Sequence, residues 1–285
     1  MCFGVRDAIA LARATAERTP LTVLGDLVHN ESVLAELRAE GVRFEAQPDA
    51  VGTRTVMITA HGASDRARAE ARGRGLHVLE ATCPLVQVAH RSLQRLVAAG
   101  FHPVIIGKRD HVEVRGMTGD LAAFDVVLEE ADLALLRPRP RFGVIAQTTQ
   151  PSAKVRQRVT QLRAMFPDSE VRFIDTVCQP TKQRQDAAVE LARQSDVLVV
   201  IGGAHSNNTH ELVRTGARHC ARVHHVQGAQ ELREEWFAGA ATVGITAGTS
   251  TPDREIDAVE EWLRVLAAQR EVAHPPAGVF SLATD

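Results

Sequence analysis

The stretch Thr82-Cys83-Pro84-Leu85 begins a pattern that decides how the whole chain is organised. Apolar residues at helical spacing follow it and predict an amphipathic helix that ends near Gly100. The apolar run at residues 104–106 then predicts a buried strand, and His111 comes after that strand. The segment therefore leads from a cysteine, through one helix and one strand, to a histidine.

The same order of elements occurs twice more. Cys2 leads to His29, and Cys178 leads to His205, again through a predicted helix and an apolar strand. The separations of cysteine and histidine in the three segments are 27, 28 and 27 residues. A repeat built around a residue type that ligates metals predicts one metal site shared by three units.

Each segment also contains a second apolar strand that runs into small hydroxyl or polar residues. These strand ends read Thr59-Ala60-His61-Gly62, Ala146-Gln147-Thr148-Thr149 and Thr246-Ala247-Gly248-Thr249-Ser250. Strands that alternate with helices predict parallel sheets, and ligands of such sheets gather at the carboxyl ends of the strands. We therefore expect an α/β fold of three small, pseudo-threefold-related domains with mostly parallel sheets around a central cavity. The expected domains are residues 1–82, 83–177 and 178–263, followed by a tail at 264–285.

The overall composition is that of an ordinary globular protein. The chain has 285 residues, of which 45% are hydrophobic and 24% charged, and its formal net charge is −2. No basic block stands out and no apolar run approaches the ~20 residues that cross a bilayer, so nucleic acid and membrane are not expected partners. No secretory signal is recognisable at Met1, and the expected compartment is the cytoplasm. Disulfides are not expected there, and Cys220 lies outside the repeat.

Three distant single cysteines suit an iron–sulfur cluster, because thiolates hold such clusters and three protein ligands leave one iron open. Each cysteine also precedes a predicted helix, whose N-terminus favours the thiolate. Zinc is the main alternative metal, although structural zinc sites usually use closely paired ligands that this chain lacks. Three unrelated buried cysteines remain the simplest alternative.

Short polar donors also collect at the predicted strand ends. They are His29, His61, His111, Ser206, Asn208 and Ser250. Such donors can surround an anionic group without a large basic charge. A diphosphate would fit, and the missing Walker and dinucleotide motifs do not indicate a nucleotide. Glu113, close to His111, is a candidate proton donor, although a single glutamate is more often a solvated charge.

Taken together, these motifs resemble the 4-hydroxy-3-methylbut-2-enyl diphosphate reductase (LytB/IspH) family, in order, from residue 2 to about 263. The matching segments are Cys2-Phe3-Gly4-Val5-Arg6, Val28-His29-Asn30, Ala60-His61-Gly62, residues 81–86, His111-Val112-Glu113-Val114, Gln147-Thr148-Thr149, Cys178 with Arg184-Gln185, Ser206-Asn207-Asn208-Thr209 and residues 246–250.

The resemblance implies an oxidoreductase at the last step of the non-mevalonate isoprenoid pathway. It would remove the allylic hydroxyl with two electrons and two protons and release isopentenyl and dimethylallyl diphosphate. Cys2, Cys83 and Cys178 would ligate a [4Fe–4S] cluster. The substrate would be held by His29, His61, His111, Thr148, Ser206, Asn207, Asn208 and Ser250. Glu113 would supply the proton, with His111 and Thr148 in the relay, and electrons would come from an external ferredoxin or flavodoxin.

Three departures from the family pattern accompany the resemblance. Family members usually carry a strand before the first cysteine, whereas this sequence begins Met1-Cys2. Either the start is truncated or the first domain lacks an inner strand, and Cys2 is expected to be less rigidly held. Asp110 and Val112 flank His111 where the family often has Gly and Pro, and Asn207 stands where Ser is frequent.

Two alternative functions stay open: a non-redox cluster enzyme of the quinolinate synthase type, and a degenerate paralogue that binds diphosphate without catalysis.

Overall fold

The computed structural model describes residues 1–273. The helices are α1 Phe3–Ala16, α2 Glu31–Ala39, α3 Asp65–Gly73, α4 Pro84–Ala98, α5 Val112–Thr118, α6 Glu130–Leu133, α7 Ser152–Met165, α8 Gln179–Gln194, α9 Asn207–Gly216 and α10 Asp253–Ala273. The strands are β1 Leu21–Leu24, β2 Arg43–Glu45, β3 Thr55–Ile58, β4 His77–Glu80, β5 His102–Ile106, β6 Asp125–Val127, β7 Arg141–Ala146, β8 Glu170–Phe173, β9 Val197–Ile201, β10 Val223–Val226 and β11 Val243–Ala247.

The strands form three parallel sheets. Their orders are β2-β1-β3-β4, β6-β5-β7-β8 and β10-β9-β11, and each neighbouring pair is parallel. In every sheet the order reverses between two neighbouring strands, β1 and β3, β5 and β7, or β9 and β11. Such a reversal is the place where parallel sheets bind ligands. The expectation of an α/β fold with three parallel sheets is confirmed.

The central strands are apolar because helices cover both of their faces. All five residues of β9 and all four residues of β3 are buried, as expected for parallel strands with no face open to solvent. Separate hydrophobic clusters surround the three sheets, centred on residues such as Leu21, Phe142 and Val199. Each sheet thus has a hydrophobic core of its own. The polar strand ends lie outside these cores and can come together at a shared centre.

Two expectations from the sequence differ from the structure. The first domain was expected to lack a strand unless the start was truncated, but its sheet has four strands, as many as the sheet of the second segment. The sheet with three strands is the one built from β9, β10 and β11. Helix α10 continues to Ala273, well past the expected boundary at residue 263, because Val259 and Leu266 form a stripe that packs on the third core. The rest of the expected tail, residues 274–285, lies outside the described residues.

Among residues 1–273, no helix combines the length and the apolar character that crossing a bilayer requires.

Candidate functional site

The three cysteines of the repeat occupy equivalent places in the fold. Each stands at the N-cap of a long helix: Cys2 before α1, Cys83 before α4 and Cys178 before α8. Each backbone N–H donates to a carbonyl just beyond a neighbouring strand: Cys2 to Thr249 over 2.9 Å, Cys83 to Ala60 over 3.0 Å and Cys178 to Thr148 over 3.0 Å. These bonds link the three units into a ring, and Cys2 is anchored as the other two cysteines are.

All three cysteines line one central cavity with about 80 Å³ of room for water-sized groups, several times the ~10–15 Å³ that one water needs on the same measure. The space depends on Gly4 of α1, because a Cβ built there would lie 2.5 Å from Sγ of Cys83. Within residues 1–273, no three His, Cys, Asp or Glu side chains converge on a single metal ion. Thiols arranged around a cavity fit a cluster, whose ligands bind different iron atoms, better than they fit one zinc ion.

The expected effect of the helix N-termini on the thiols is outweighed by burial. Burial raises the pKa of the Cys83 thiol, and the backbone N–H groups of Leu85 and Val86 only partly oppose it. Burial likewise raises the pKa of Cys178, against a hydrogen bond with Thr181. The expectation that the helix termini favour free thiolates is therefore wrong for these two residues. A metal that takes thiolate ligands would displace their protons on binding.

Three histidines from different elements meet beside the cysteine cavity. The ring centroids of His29 and His61 lie 4.5 Å apart, those of His29 and His111 5.2 Å apart, and those of His61 and His111 5.6 Å apart. Burial lowers the pKa of all three. A neighbouring ring adds to this for His61 and for His111, whose pKa falls to about 3, whereas Asp26 partly opposes it for His29. The rings are therefore neutral at pH 7 and can donate N–H groups without bringing a fixed charge.

These histidines share a second, polar cavity with strand-end residues of the second and third units. Its other polar walls are Thr149, Ser206, Asn207, Asn208, Thr249 and Ser250. Several buried polar atoms here have no hydrogen-bond partner in the protein: Nε2 of His29, Nδ1 of His61 and Nδ2 of Asn208. Buried polar groups are almost always satisfied in native proteins, so this cluster of unpaired atoms indicates a polar ligand.

The remaining polar side chains around this cavity are held by the protein itself. Ser206 caps α9 by accepting from the N–H of Thr209, and the hydroxyl of Ser250 donates to the carbonyl of His29 over 3.3 Å. Oδ1 of Asn208 accepts from the N–H of Thr249 over 3.2 Å, which directs its unpaired amide nitrogen away from that bond. The donors are thus fixed in place before any ligand arrives.

Glu113 is the buried carboxyl group of the site, with 1% of its surface exposed. Burial raises its pKa to about 7, and two hydrogen bonds from Thr148 oppose that rise. Such a carboxyl is close to half-protonated at neutral pH, which suits a proton donor. It lines the cysteine cavity together with His61, a residue that also lines the polar cavity.

His111 has a defined tautomer in this arrangement. It caps α5, and its Nδ1 accepts the backbone N–H of Glu113 over 3.2 Å. In the neutral ring, Nδ1 as acceptor leaves the proton on Nε2. His111 is therefore fixed as an N–H donor by the same residue that carries the candidate proton.

Some residues of the sequence pattern lie elsewhere. His205 is exposed, and Ser206 and Asn208, one and three residues later, line the polar cavity in its unit. Asp110 is exposed and lines a separate surface cavity, so its charge is directed away from the histidines. Cys220 is buried among carbonyl groups, with Sγ 3.3 Å from the oxygen of Arg222, apart from the other thiols.

Sequence reasoning missed two residues that the structure places between the cavities. Thr149 and Thr249 line both of them, and Oγ1 of Thr149 accepts from Nδ2 of Asn207 over 3.4 Å. Both residues belong to the hydroxyl-rich strand ends of the repeat, which was the signal that could have identified them.

Comparisons with known proteins agree on one family. The family model described as LytB protein matches residues 1–264. The 4-hydroxy-3-methylbut-2-enyl diphosphate reductase of Geobacter sulfurreducens is 37% identical over 262 residues, covering 91% of this chain and 92% of that protein. The protein of the same name from Dehalococcoides mccartyi is 37% identical over 272 residues, covering 94% and 95%.

Solved structures give the same result. A structure of (E)-4-hydroxy-3-methyl-but-2-enyl diphosphate reductase, the terminal enzyme of the non-mevalonate pathway, has a TM-score of 0.65 and 33% identity, and 93% of this chain and 96% of that chain are covered. The E-1-hydroxy-2-methyl-but-2-enyl-4-diphosphate reductase of Plasmodium falciparum has a TM-score of 0.85 and 25% identity, with 97% and 86% covered.

Proposed function

The chain belongs to the LytB protein family, and from this premise we propose that it reduces 4-hydroxy-3-methylbut-2-enyl diphosphate to isopentenyl and dimethylallyl diphosphate. The enzyme of one solved structure that the chain resembles is named as the terminal enzyme of the non-mevalonate pathway. One observation carries the proposal: a cavity walled by three equivalent cysteines adjoins a polar cavity walled by three neutral histidines. An allylic diphosphate has one end for each cavity: a hydroxyl for the cysteine cavity and an anionic diphosphate for the polar cavity.

Cys2, Cys83 and Cys178 would hold a [4Fe–4S] cluster in the cysteine cavity. The fit rests on three free thiols around one space and on Gly4, which leaves room beside Cys83. When bound, such a cluster supplies an open, Lewis-acidic iron for the allylic hydroxyl and accepts electrons one at a time. Free cysteines are consistent with a reducing compartment, and we place the protein in the cytoplasm.

The polar cavity would hold the diphosphate. Its donors are His29, His61, His111, Ser206, Asn207, Asn208 and Ser250. The unpaired nitrogen atoms of His29, His61 and Asn208 would gain the partners that they lack. Hydrogen bonds to a charged acceptor are worth about 1.5–3 kcal/mol each, so a few such donors bind an anion tightly without lysine or arginine.

Glu113 would donate the proton, with Thr148 and His111 as its partners in the relay. The hydroxyl of Thr148 donates to Oε2 of Glu113 over 3.0 Å and lines the cysteine cavity. A hydroxyl that bonds the acid and faces the substrate space can pass a proton between them. Burial keeps water from competing for that proton.

The two alternative functions, a quinolinate synthase type of enzyme and a degenerate paralogue, require different features of the protein. An enzyme of the quinolinate synthase type would act on a dicarboxylate, whereas the near-complete matches are to diphosphate reductases. A degenerate paralogue would have no need of a buried acid with a pKa near neutrality, and Glu113 retains one. The external electron donor would be a ferredoxin or flavodoxin.

The test is anaerobic purification followed by quantitation of iron and sulfide and by an absorbance spectrum. About four of each per chain are expected for a [4Fe–4S] cluster, with turnover of the allylic diphosphate when a reduced donor is supplied. A colourless, iron-free protein would support the paralogue. Turnover of a dicarboxylate in place of the diphosphate would support the quinolinate synthase type.

A further inference from the structure

His29 belongs to the first unit, but its backbone is held by the third. Its carbonyl accepts the hydroxyl of Ser250 over 3.3 Å. The same carbonyl lies against Gly203, where a Cβ would stand 2.3 Å from the carbonyl oxygen. Both contacts fix the peptide group that joins His29 to Asn30, so the structure around Asn30 bears directly on the position of the histidine.

Asn30 is a buried residue with two functions in this structure. It is 4% exposed and caps α2, because its Oδ1 accepts the backbone N–H of Val33 over 3.1 Å. Its Nδ2 donates to Oε2 of Glu255, in the first turn of α10, over 3.2 Å. Within residues 1–273 this is the one hydrogen bond of that amide nitrogen. A buried amide is costly to leave unpaired, so Glu255 determines which way the amide of Asn30 faces.

The carboxyl group of Glu255 has a second partner in the same turn. The hydroxyl of Ser32 donates to Oε1 of Glu255 and also lies 3.1 Å from Oδ1 of Asn30. Arg254, the residue before Glu255, forms an ion pair with Glu36 of α2. The start of α10 is thus in contact with the start of α2, and one carboxyl group of the third unit binds two side chains that follow His29.

We propose that Glu255 is a positioning residue for diphosphate binding, which orients Asn30 and through it sets the ring of His29 in the polar cavity. The inference rests on the proposed function and adds a residue that lines neither the cysteine cavity nor the polar cavity. Nε2 of His29 is one of the unpaired nitrogen atoms at the polar cavity. Hydrogen bonds weaken steeply when donor and acceptor are misaligned, so a small rotation of this ring weakens its bond to the ligand.

The role of Glu255 depends on hydrogen bonding and not on its charge. In Glu255→Gln the side-chain oxygen can still accept from Nδ2 of Asn30. The new NH₂ group can donate to the hydroxyl of Ser32, which in turn can donate to Oδ1 of Asn30. In Glu255→Met the side chain keeps its length and loses both acceptors. The pair of variants therefore separates the hydrogen bonds of Glu255 from its packing.

The experiment measures binding of inorganic pyrophosphate to the purified protein, together with KM and kcat for the allylic diphosphate. Glu255→Met should weaken pyrophosphate binding and raise KM roughly tenfold, as when a partner that orients a functional histidine is removed. A change in KM with little change in kcat indicates lost binding and not lost chemistry. Glu255→Gln should restore both values to those of the unmodified protein.

A double-mutant cycle tests the route through Asn30. Asn30→Ser keeps a residue that can cap α2 and removes the amide that faces Glu255. In that background Glu255→Met should have no further effect on pyrophosphate binding, because both changes remove the same contact. Glu260→Met is the matched control: it removes an exposed ion pair with Arg264 on the same helix and should leave binding and KM unchanged. Circular dichroism checks that each variant is folded.

Three results would overturn the positioning role: full pyrophosphate affinity in Glu255→Met, no recovery in Glu255→Gln, or additive losses in the cycle. Failure of the unmodified protein to bind pyrophosphate would instead contradict the diphosphate site of the proposed function. The NMR resonances of the His29 ring would still decide the role of Glu255 in that case. They should shift in Glu255→Met and stay in place in Glu260→Met, and unshifted resonances in Glu255→Met would end the proposal.

Discussion

Thr148 binds both carboxyl oxygens of Glu113: its backbone N–H donates to Oε1 over 2.7 Å and its hydroxyl to Oε2 over 3.0 Å. The two residues come from different strand–helix junctions of the second unit, at the ends nearest the centre. The pair fixes the orientation of the buried acid and limits how far burial raises its pKa. The carbonyl of Thr148 also accepts the backbone N–H of Cys178, so Thr148 positions both the proposed proton donor and one of the proposed cluster ligands.

The first prediction concerns the proton itself. Glu113→Gln should lower kcat roughly 10²- to 10⁴-fold, because it removes a general acid while leaving the thiols in place. Iron content should be unchanged, which separates this effect from loss of the cluster. Glu211→Gln is the matched control: Glu211 is also buried, is paired with Arg214 and lines neither cavity. Near-normal turnover of the Glu113 variant would remove Glu113 from the relay.

The second prediction concerns pH. Glu113 must be protonated to act, so activity should fall as pH rises through about 7. The hydroxyl of Thr148 stabilises the carboxylate, and Thr148→Val should therefore raise the pKa of Glu113 and move the descending limb of the pH–rate profile to higher pH. Thr148→Ser keeps the hydroxyl and should restore the original limb. A limb that stays in place or moves to lower pH in the valine variant would contradict this assignment.

The third prediction tests the cluster ligands. Cys83→Ser should lose the iron and the visible chromophore, because only two of the three proposed thiolate ligands would remain to hold the cluster. Cys220→Ala should retain both, since Cys220 is buried among carbonyl groups elsewhere. Iron and sulfide quantitation under anaerobic conditions is the measurement. Iron loss from the Cys220 variant would show that the wrong thiols were assigned.

The fourth prediction concerns the diphosphate. His61→Gln should raise KM roughly tenfold to a hundredfold, the equivalent of one hydrogen bond to a charged group, with a smaller change in kcat. Binding of inorganic pyrophosphate to the metal-free protein should weaken by the same factor. His77→Gln on the exposed edge strand β4 is the control and should change neither value. Unaltered pyrophosphate binding in the His61 variant would place the anion elsewhere.

The fifth prediction uses the space beside the thiols. In Gly4→Ala, the added Cβ would stand 2.5 Å from Sγ of Cys83, closer than real contacts allow. Cys83 must then move, and we expect the cluster to be lost while the fold is retained. Gly73→Ala makes the same substitution at a helical position where nothing lies within 4 Å. Iron content, with circular dichroism as the check on folding, distinguishes the two variants, and full iron content in the Gly4 variant would contradict the packing argument.

Hydrophobic periodicity in the sequence was sufficient for the inner strands. The runs at β1, β3, β5, β7 and β9 are apolar enough to stand out, because a strand covered on both faces needs apolar residues throughout. The run at β11 stood out as well, although β11 lies at an edge of its sheet. The edge strands β2, β4, β6, β8 and β10 were not identified individually. They are short and partly exposed, as in His77–Glu80, and their pairing depends on a neighbour that is distant in sequence.

The chain by itself determined the residue types and their order: three cysteines at helix starts and three sets of polar strand ends, from which a shared centre followed. The tertiary structure alone decided which polar residues meet there. His61 joins His29 and His111, while His205 stays exposed, because a one-residue difference at a strand end changes the direction of a side chain. Burial was also decided only by the fold, and burial is what brings the pKa of Glu113 near neutrality and raises those of the thiols. Spacing along the chain carries no measure of desolvation, which depends on the packing of all three units.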